Sequence, residues 1–167
     1  MRGARGFTLL ELLVVLVVIG VLVSMAALSV RGVGAERHLA EEGRRFEALL
    51  GLAAQEAVLN TLELGIAVEA AGYRFMVLEE GDWREVNDPP LARRALPDGM
   101  EAELRLDGQP ARPVEDAPQV VLYSSGEATP FELHLWVPGA GQRYVLRTGV
   151  TGRVAEAGLR EDAAAAW

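Results

Sequence analysis

The stretch RGFTLLELLVVLVVIG, residues 5–20, combines a membrane-like apolar run with one carboxylate, Glu11, near its start. From Leu12 to Val30 the chain has 19 residues without a charge. As a helix these residues extend roughly 28 Å, which matches the hydrocarbon core of a bilayer. Arg2 and Arg5 precede the run, so the positive-inside rule keeps the N-terminus cytoplasmic. The sequence therefore predicts a helix that spans a membrane once.

Two common kinds of segment share part of this pattern. A secretory signal peptide also has a basic start, an apolar centre and small residues, here Ser24 and Ala26, at a cleavage spacing. The apolar run continues past that position, however. A plain single-pass anchor explains the length, but it leaves Glu11 as an energetic cost inside the bilayer. Neither interpretation gives the carboxylate a purpose.

A third interpretation accounts for each residue. RGFTLLELLVVLVVIGVL closely resembles the class III signal of type IV pilins and pseudopilins. In that family a prepilin peptidase cuts after the glycine, on the cytoplasmic side, and methylates the new N-terminal amine. The resemblance implies a leader of residues 1–6, cleavage between Gly6 and Phe7, and N-methylation of Phe7. Glu11 then becomes the fifth residue of the mature chain, as the family's pattern requires.

This cleavage creates a chemical partner for Glu11. The new ammonium at Phe7 lies one helical turn from the carboxylate, near the positive end of the helix dipole. The two charges attract strongly in a medium of low dielectric, whereas an unpaired charge there is costly. The partner can be the chain's own N-terminus or that of a neighbouring subunit, and the sequence leaves both open. The resemblance implies that Glu11 aligns the subunit with its neighbour during filament assembly.

After the predicted transmembrane helix of residues 7–30, residues 31–62 predict a periplasmic amphipathic helix. Gly32 and Gly34 each weaken it by about 1 kcal/mol relative to alanine, which indicates either a bend or two tolerated glycines. An apolar stripe recurs at alternating steps of four and three residues, formed by Leu39, Gly43, Phe46, Leu50, Ala53 and Ala57. The charged residues mostly lie off the stripe: Glu36, Arg37, Glu41, Glu42, Arg44, Arg45 and Glu47.

Residues 63–167 predict a β-rich head, because the pattern changes to short strands separated by turns. Strands that follow a helix indicate an α+β fold, with antiparallel sheet packed on the helical stripe. The loop NDPPLARRALPDG leaves Arg93 and Arg94 solvated unless an acidic neighbour meets them. The end of the chain, with Glu156, Glu161 and Asp162, predicts a solvated tail. The strand candidates are LGIAVEA, YRFMVLEE, WREV, MEAELRLDG, QVVLYSSG, FELHLWV and QRYVLRT.

The segment LYSSGEATPFEL, residues 122–133, looks like the Ser-Gly-x-x-Thr-Pro-Phe signature of the pseudopilin H group, minor pseudopilins of type II secretion. That group has a pilin-like fold, in which two small sheets pack against a long N-terminal helix. The resemblance implies a structural, non-enzymatic subunit in the tip or tip-to-shaft region of the periplasmic pseudopilus. Its implied partners are the other minor pseudopilins, the major pseudopilin and the prepilin peptidase. The implied location is the inner membrane, with a single span and a periplasmic head.

Composition argues against catalytic, metal-binding and nucleic-acid roles. The chain has no cysteine, and its two histidines, His38 and His134, show no convergent partners in the sequence. The Ser124-Ser125-Gly126 segment lacks a nucleophile elbow and predicts a turn. We therefore predict no catalytic residue, no cofactor and no metal site. The formal charge of −8 disfavours binding of nucleic acid. The alternative hypothesis is a type IV minor pilin for pilus assembly or DNA uptake, against which this charge argues.

Overall fold

The computed structural model describes residues 9–161, apart from the side chains of residues 23–33. A long helix, α1 (Leu9–Asn60), precedes the strands of the head. The chain divides between Gly34 and Ala35 into two units, which are described separately. The strands are β1 (Leu64–Glu69), β2 (Gly72–Glu79), β3 (Asp82–Glu85), β4 (Arg94–Ala95), β5 (Glu101–Leu106), β6 (Gln109–Pro110), β7 (Val120–Leu122), β8 (Glu132–Trp136), β9 (Gln142–Thr148) and β10 (Val154–Glu161).

In the first unit, residues 9–22 of α1 are helical and carry exposed side chains. Within the described part of the chain, no helical segment combines the length and apolar character needed to cross a membrane. The span predicted for residues 7–30 stays a prediction. The assignment of α1 also runs through Gly32 and Gly34, and the bend proposed there stays a prediction.

The second unit combines the remainder of α1 with two antiparallel sheets. Sheet A has the strand order β3-β2-β1-β7, with β4 paired to β2, and sheet B has the order β10-β9-β8-β5-β6. The predicted α+β class, with a long helix followed by a head of two small sheets, is confirmed.

The predicted stripe of α1 forms the centre of the head's core. Gly43 is buried, and the other five stripe residues have no exposed surface. Phe46 packs edge-on against Tyr73 of β2 and against Phe131, with ring centroids 5.0 and 6.3 Å apart. Among the charged residues predicted to lie off the stripe, Glu42 is an exception, because only 3% of it is exposed.

The helix ends where Thr61 adopts a left-handed conformation, with φ of 55°. The N–H of Leu62 then donates to the carbonyl of Ala57 at 2.9 Å. This bond satisfies a carbonyl of the last helical turn, as in a Schellman cap. The chain leaves the cap in the direction of β1, so the cap connects the core helix to sheet A.

The seven predicted strands are all present, but β4, β6 and β10 were missed. Strands of two residues, such as β4 and β6, are too short to show alternation. Glu156 and Glu161 are exposed, as predicted, but the predicted tail is wrong for them because they lie in β10. Asp162 falls outside the described residues. β10 escaped notice because only Val154 and Gly158 are half-buried and the rest is exposed. It forms through backbone pairing with β9 rather than through an apolar face.

Gly43 allows α1 to approach sheet B closely. A Cβ at this position would lie 2.3 Å from Cε1 of Tyr144, a side chain of β9 that is only 4% exposed. Gly51, two turns further along the same helix, has open space around it. The two glycines therefore serve different purposes, and only Gly43 is required by packing.

We expect Gly43→Ala to lower the free energy of unfolding by about 1–2 kcal/mol, because overpacking costs more than the gain in helix propensity. Gly51→Ala is the matched control, and it should raise this free energy by about 0.5–1 kcal/mol. The measurement is chemical denaturation of the full chain in detergent, followed by tryptophan fluorescence. Equal shifts in the two variants would contradict close packing at Gly43.

Candidate functional site

Glu11 lies in the first turn of α1, and its side chain is exposed. It is the only charged residue among residues 9–22. In the same segment, the large apolar side chains from Leu9 to Leu22 are each at least 43% exposed. Soluble monomers rarely leave so extensive an apolar surface open to water. This part of α1 therefore suits an apolar environment, with one carboxylate near its positive end.

The residues predicted to be processed, Gly6 and Phe7, lie outside the described residues. The structure places Glu11 on a helix, as the sequence predicted. Its pairing with an amino terminus and its role in subunit register stay predictions.

Glu42 is the polar centre of the head. Its Oε1 accepts hydrogen bonds from the Tyr73 hydroxyl and from Nε of Arg94, each at 2.9 Å. Its Oε2 lies 3.5 Å from Nη1 of Arg45. A buried carboxylate is tolerated only where hydrogen bonds and opposite charge compensate for lost hydration. The position of residue 42, three after Leu39 and four before Phe46, is the sequence signal for its burial.

These contacts connect three elements of the head. Glu42 belongs to α1, Tyr73 to β2 and Arg94 to β4, so the carboxylate holds the loop before β5 against the helix. Burial raises the pKa of the Tyr73 hydroxyl, and the charge of Glu42 raises it further. Tyr73 is thus kept as a neutral hydrogen-bond donor. Of the two alternatives for Arg94, a solvated side chain or an acidic neighbour, the structure has the acidic neighbour, although 36% of the side chain stays exposed.

A second ion-pair network lies on sheet A around Arg74, whose side chain is 10% exposed. Nη1 of Arg74 is 3.2 Å from Glu69, and its Nη2 donates to the backbone carbonyls of Val114 and Glu115. These bonds fasten the loop between β6 and β7 to the sheet. Arg93 is 3.1 Å from Glu85 and 3.6 Å from Glu69, so it too has acidic neighbours rather than solvent alone.

The signature segment 122–133 connects sheet A to sheet B. The predicted turn at residues 124–126 is confirmed, because Gly126 has a φ of 87° and its N–H donates to the carbonyl of Tyr123. Thr129 Oγ1 accepts from the N–H of Val121, and Ser124 Oγ donates to Glu63. Phe131 enters the core beside Phe46. In this segment the described contacts hold the turn against sheet A and anchor Phe131 in the core.

His134 is buried in β8, whereas His38 is exposed on α1. Nδ1 of His134 lies 3.3 Å from Nη1 of Arg143, and its Nε2 lies 3.1 Å from Glu132. An arginine can only donate, so Nδ1 accepts and Nε2 carries the proton. Burial lowers the pKa of His134, against the opposing hydrogen bond to Glu132. Across the described residues, no group of three or more acidic or histidine side chains could hold a metal ion.

Two family models match the sequence. The first, described as Prokaryotic N-terminal methylation motif, matches residues 1–27. The second, described as Type II transport protein GspH, matches residues 42–152. The first therefore includes the predicted cleavage site, and the second spans the end of the helix and most of the head.

Curated relatives and solved structures agree with these matches. Type II secretion system protein H of Pseudomonas aeruginosa is 38% identical over 148 residues, which cover 81% of this chain and 84% of that protein. The protein of the same name from Aeromonas hydrophila is 32% identical over 158 residues, with 86% of both chains covered. The minor pseudopilin EpsH from the Type 2 Secretion System of Vibrio cholerae shares the fold, with a TM-score of 0.62. That structural alignment has 22% identity and covers 72% of this chain and 94% of the other.

Glu42→Gln should lower the free energy of unfolding of the full chain by about 2 kcal/mol, since it leaves the partly exposed Arg94 without its buried counter-charge. Glu41→Gln is the matched control, because Glu41 is an exposed neighbour that pairs with Arg37. The control should change this free energy by less than about 0.5 kcal/mol. Chemical denaturation measures the free energy of unfolding of each variant. Equal decreases in the two variants would contradict a specific contribution of the buried Glu42 to stability.

His134 should make the head less stable in mild acid. Its pKa is lowered in the folded state, so below its ordinary value of 6.5 the unfolded chain binds the proton first. The contribution of the neutral ring is therefore complete above pH 6.5 and is lost as the pH falls. The slope cannot exceed about 1.4 kcal/mol per pH unit for one proton.

Denaturation midpoints of the full chain, measured between pH 5 and 7.5, test whether the lowered pKa of His134 makes the head less stable in acid. His134→Gln should flatten the dependence, while the exposed-site control His38→Gln should keep that of the parent chain. An unchanged pH profile in His134→Gln would overturn it.

Proposed function

The chain belongs to the Type II transport protein GspH family, and on that premise we propose that it is a structural minor pseudopilin of type II secretion. The observation that carries the proposal is the combination of two features in one chain. A methylation motif and an exposed apolar helix stand at the N-terminal end, and a GspH-type head follows. In this role the protein supports export of folded proteins without catalysis of its own.

Maturation is the first step of the proposed function. A prepilin peptidase cuts between Gly6 and Phe7, and Phe7 becomes the N-methylated first residue. The match of the methylation motif to residues 1–27 supports this step. Cleavage before the apolar run, rather than after it, keeps the helix on the mature protein.

Membrane anchoring is the second step, because the apolar helix stays on the mature protein after cleavage. Residues 7–30 hold the protein in the inner membrane as a single span, with the head in the periplasm. The exposed apolar side chains between Leu9 and Leu22 support this arrangement, since lipid covers them before assembly. A bundle of similar helices covers them afterwards, so the apolar surface stays out of water throughout.

The proposed role of Glu11 is to set the axial register between neighbouring subunits. A carboxylate within apolar surroundings is stabilised when an ammonium meets it, and the methylated amine of Phe7 supplies that charge. If the amine belongs to a neighbouring subunit, only one axial stagger satisfies both groups. Glu11 then aligns the subunit with the other minor pseudopilins and with the major pseudopilin, in the tip or tip-to-shaft region.

The alternative of a DNA-capturing minor pilin has less support. Of the 13 arginines whose side chains are described, nine form ion pairs with glutamates of the same chain. Arginines that are neutralised in this way have less charge to offer to phosphates. The formal charge of −8 points in the same direction.

Glu11→Ala should leave cleavage and methylation intact but reduce co-purification with the other pseudopilins by about tenfold or more, because it removes an ion pair from a medium of low dielectric. Secretion of an exported protein should fall in parallel. Glu36→Ala is the matched control, since Glu36 carries the same charge beyond the apolar run. Normal co-assembly and secretion in Glu11→Ala would refute the register role.

A further inference from the structure

β10 leaves one edge of sheet B open. It is the last strand of that sheet, and among the described residues it pairs with β9 alone. In an antiparallel strand, alternate residues direct their N–H and C=O groups away from the neighbouring strand. These backbone groups form a row that an added strand can bond.

The apolar side chains of β10 next to this edge are also left uncovered. The register sets Ala157 opposite Leu146 and Leu159 opposite Tyr144. Leu146 and Tyr144 are buried, but Ala157 and Leu159 are exposed. Residues directly opposite each other in a sheet lie on the same face. The core layer of sheet B therefore stops at β9, although β10 presents apolar side chains on the same face.

An open channel runs along α1: its smaller groove lies between the helix and β10, and its larger groove lies between the helix, the turn before β10 and Gly126. It consists of two adjoining grooves of about 690 and 580 Å³, both of which are lined by Glu47 and Val154. The helix contributes Ala40, Gly51 and Ala54 to the walls, and the strand contributes Ala157. Because these side chains are small, the channel has room for a backbone.

The dimensions of the channel suit an extended segment. β10 borders the smaller groove through residues 154–159, which cover roughly 20 Å at the rise of a strand. The helical wall continues past this strand, because the lining residues of α1 extend from Ala40 to Val58, which is about 27 Å along a helix axis. About six extended residues can therefore pair along β10, and further residues of the segment continue along the helix.

The charges along the channel select for acidic residues. Arg44 and Arg153 line it, and neither forms an ion pair within the described part of the chain, unlike nine of the other arginines. Glu47 lies on the wall between them, and Glu156 is already paired with Arg147. Among the described residues that line the channel, two arginines stand against one acid that forms no ion pair, and acidic side chains of an occupant complement this positive balance.

We propose that the channel binds an extended acidic segment of a neighbouring pseudopilin, which adds to β10 as a further strand of sheet B. Backbone bonds to β10 give affinity, and alternate side chains cover Ala157 and Leu159. Acidic side chains of the segment meet Arg44 and Arg153. This inference rests on the proposed function, because that function supplies the neighbouring subunits.

Hydrogen exchange of the full chain in detergent tests the proposal, with each of the other pseudopilins of the same secretion system added in turn as purified protein. With one of them, amide exchange in residues 154–161 should slow by about tenfold or more, since added strand bonds protect the edge. Residues 82–85, in the edge strand of sheet A, serve as the internal control and should stay unchanged.

Charge variants provide the second readout. Arg44→Glu combined with Arg153→Glu should weaken binding of that pseudopilin by about tenfold, because attraction becomes repulsion. Arg112→Glu is the matched control: Arg112 is exposed, has no ion pair within the described residues and lines neither groove. It should change the affinity by less than about twofold.

The outcomes separate this inference from the function on which it rests. A complex that leaves exchange in residues 154–161 unchanged overturns the strand addition but leaves the pseudopilin role standing. Protection of the same residues by self-association of this chain, without a partner, means that a second copy fills the channel and also overturns it. Failure of every pseudopilin to bind contradicts the proposed function itself.

Discussion

Burial of one face of α1 is the constraint on which the head depends. The stripe from Leu39 to Ala57 has no exposed apolar surface, and it reaches both sheets. Phe46 contacts Tyr73 of sheet A, while Gly43 admits the ring of Tyr144 from sheet B. Because both sheets pack on the same helical face, this face holds them together without a disulfide. The chain has no cysteine.

Patterns that repeat locally could be predicted from the sequence, and contacts between distant residues could not. The stripe follows from helical period, and the longer strands follow from alternation and turn residues. Glu42 was placed off the apolar stripe and the acidic neighbour of Arg94 was left unnamed, because the bond between them joins residues 52 positions apart. β10 was missed because both of its faces are largely exposed and its apolar alternation is weak, limited to small or isolated residues such as Ala157 and Leu159. For Glu11, the sequence supplied the hypothesis, and its proposed partner, the amine of residue 7, lies outside the described residues.

The two units of the chain handle apolar surface in different ways. From Ala35 onward, most large apolar side chains are buried in the core, and the buried charges of Glu42 and Arg74 have partners of opposite charge. Between Leu9 and Leu22 the apolar side chains are exposed, and in the proposed function lipid or other helices cover them. A subunit of the proposed kind needs this division, because its apolar segment exchanges lipid for a helical bundle while the core of the head stays intact.

The intact mass of the mature chain, isolated from bacterial membranes, tests the filament role of the N-terminal segment most directly. We predict a chain that begins at Phe7 and is heavier than the unmodified polypeptide by one methyl group. A chain that still begins at Met1, or that starts beyond Ser24, would contradict this role, because the amine that Glu11 needs would not have been made.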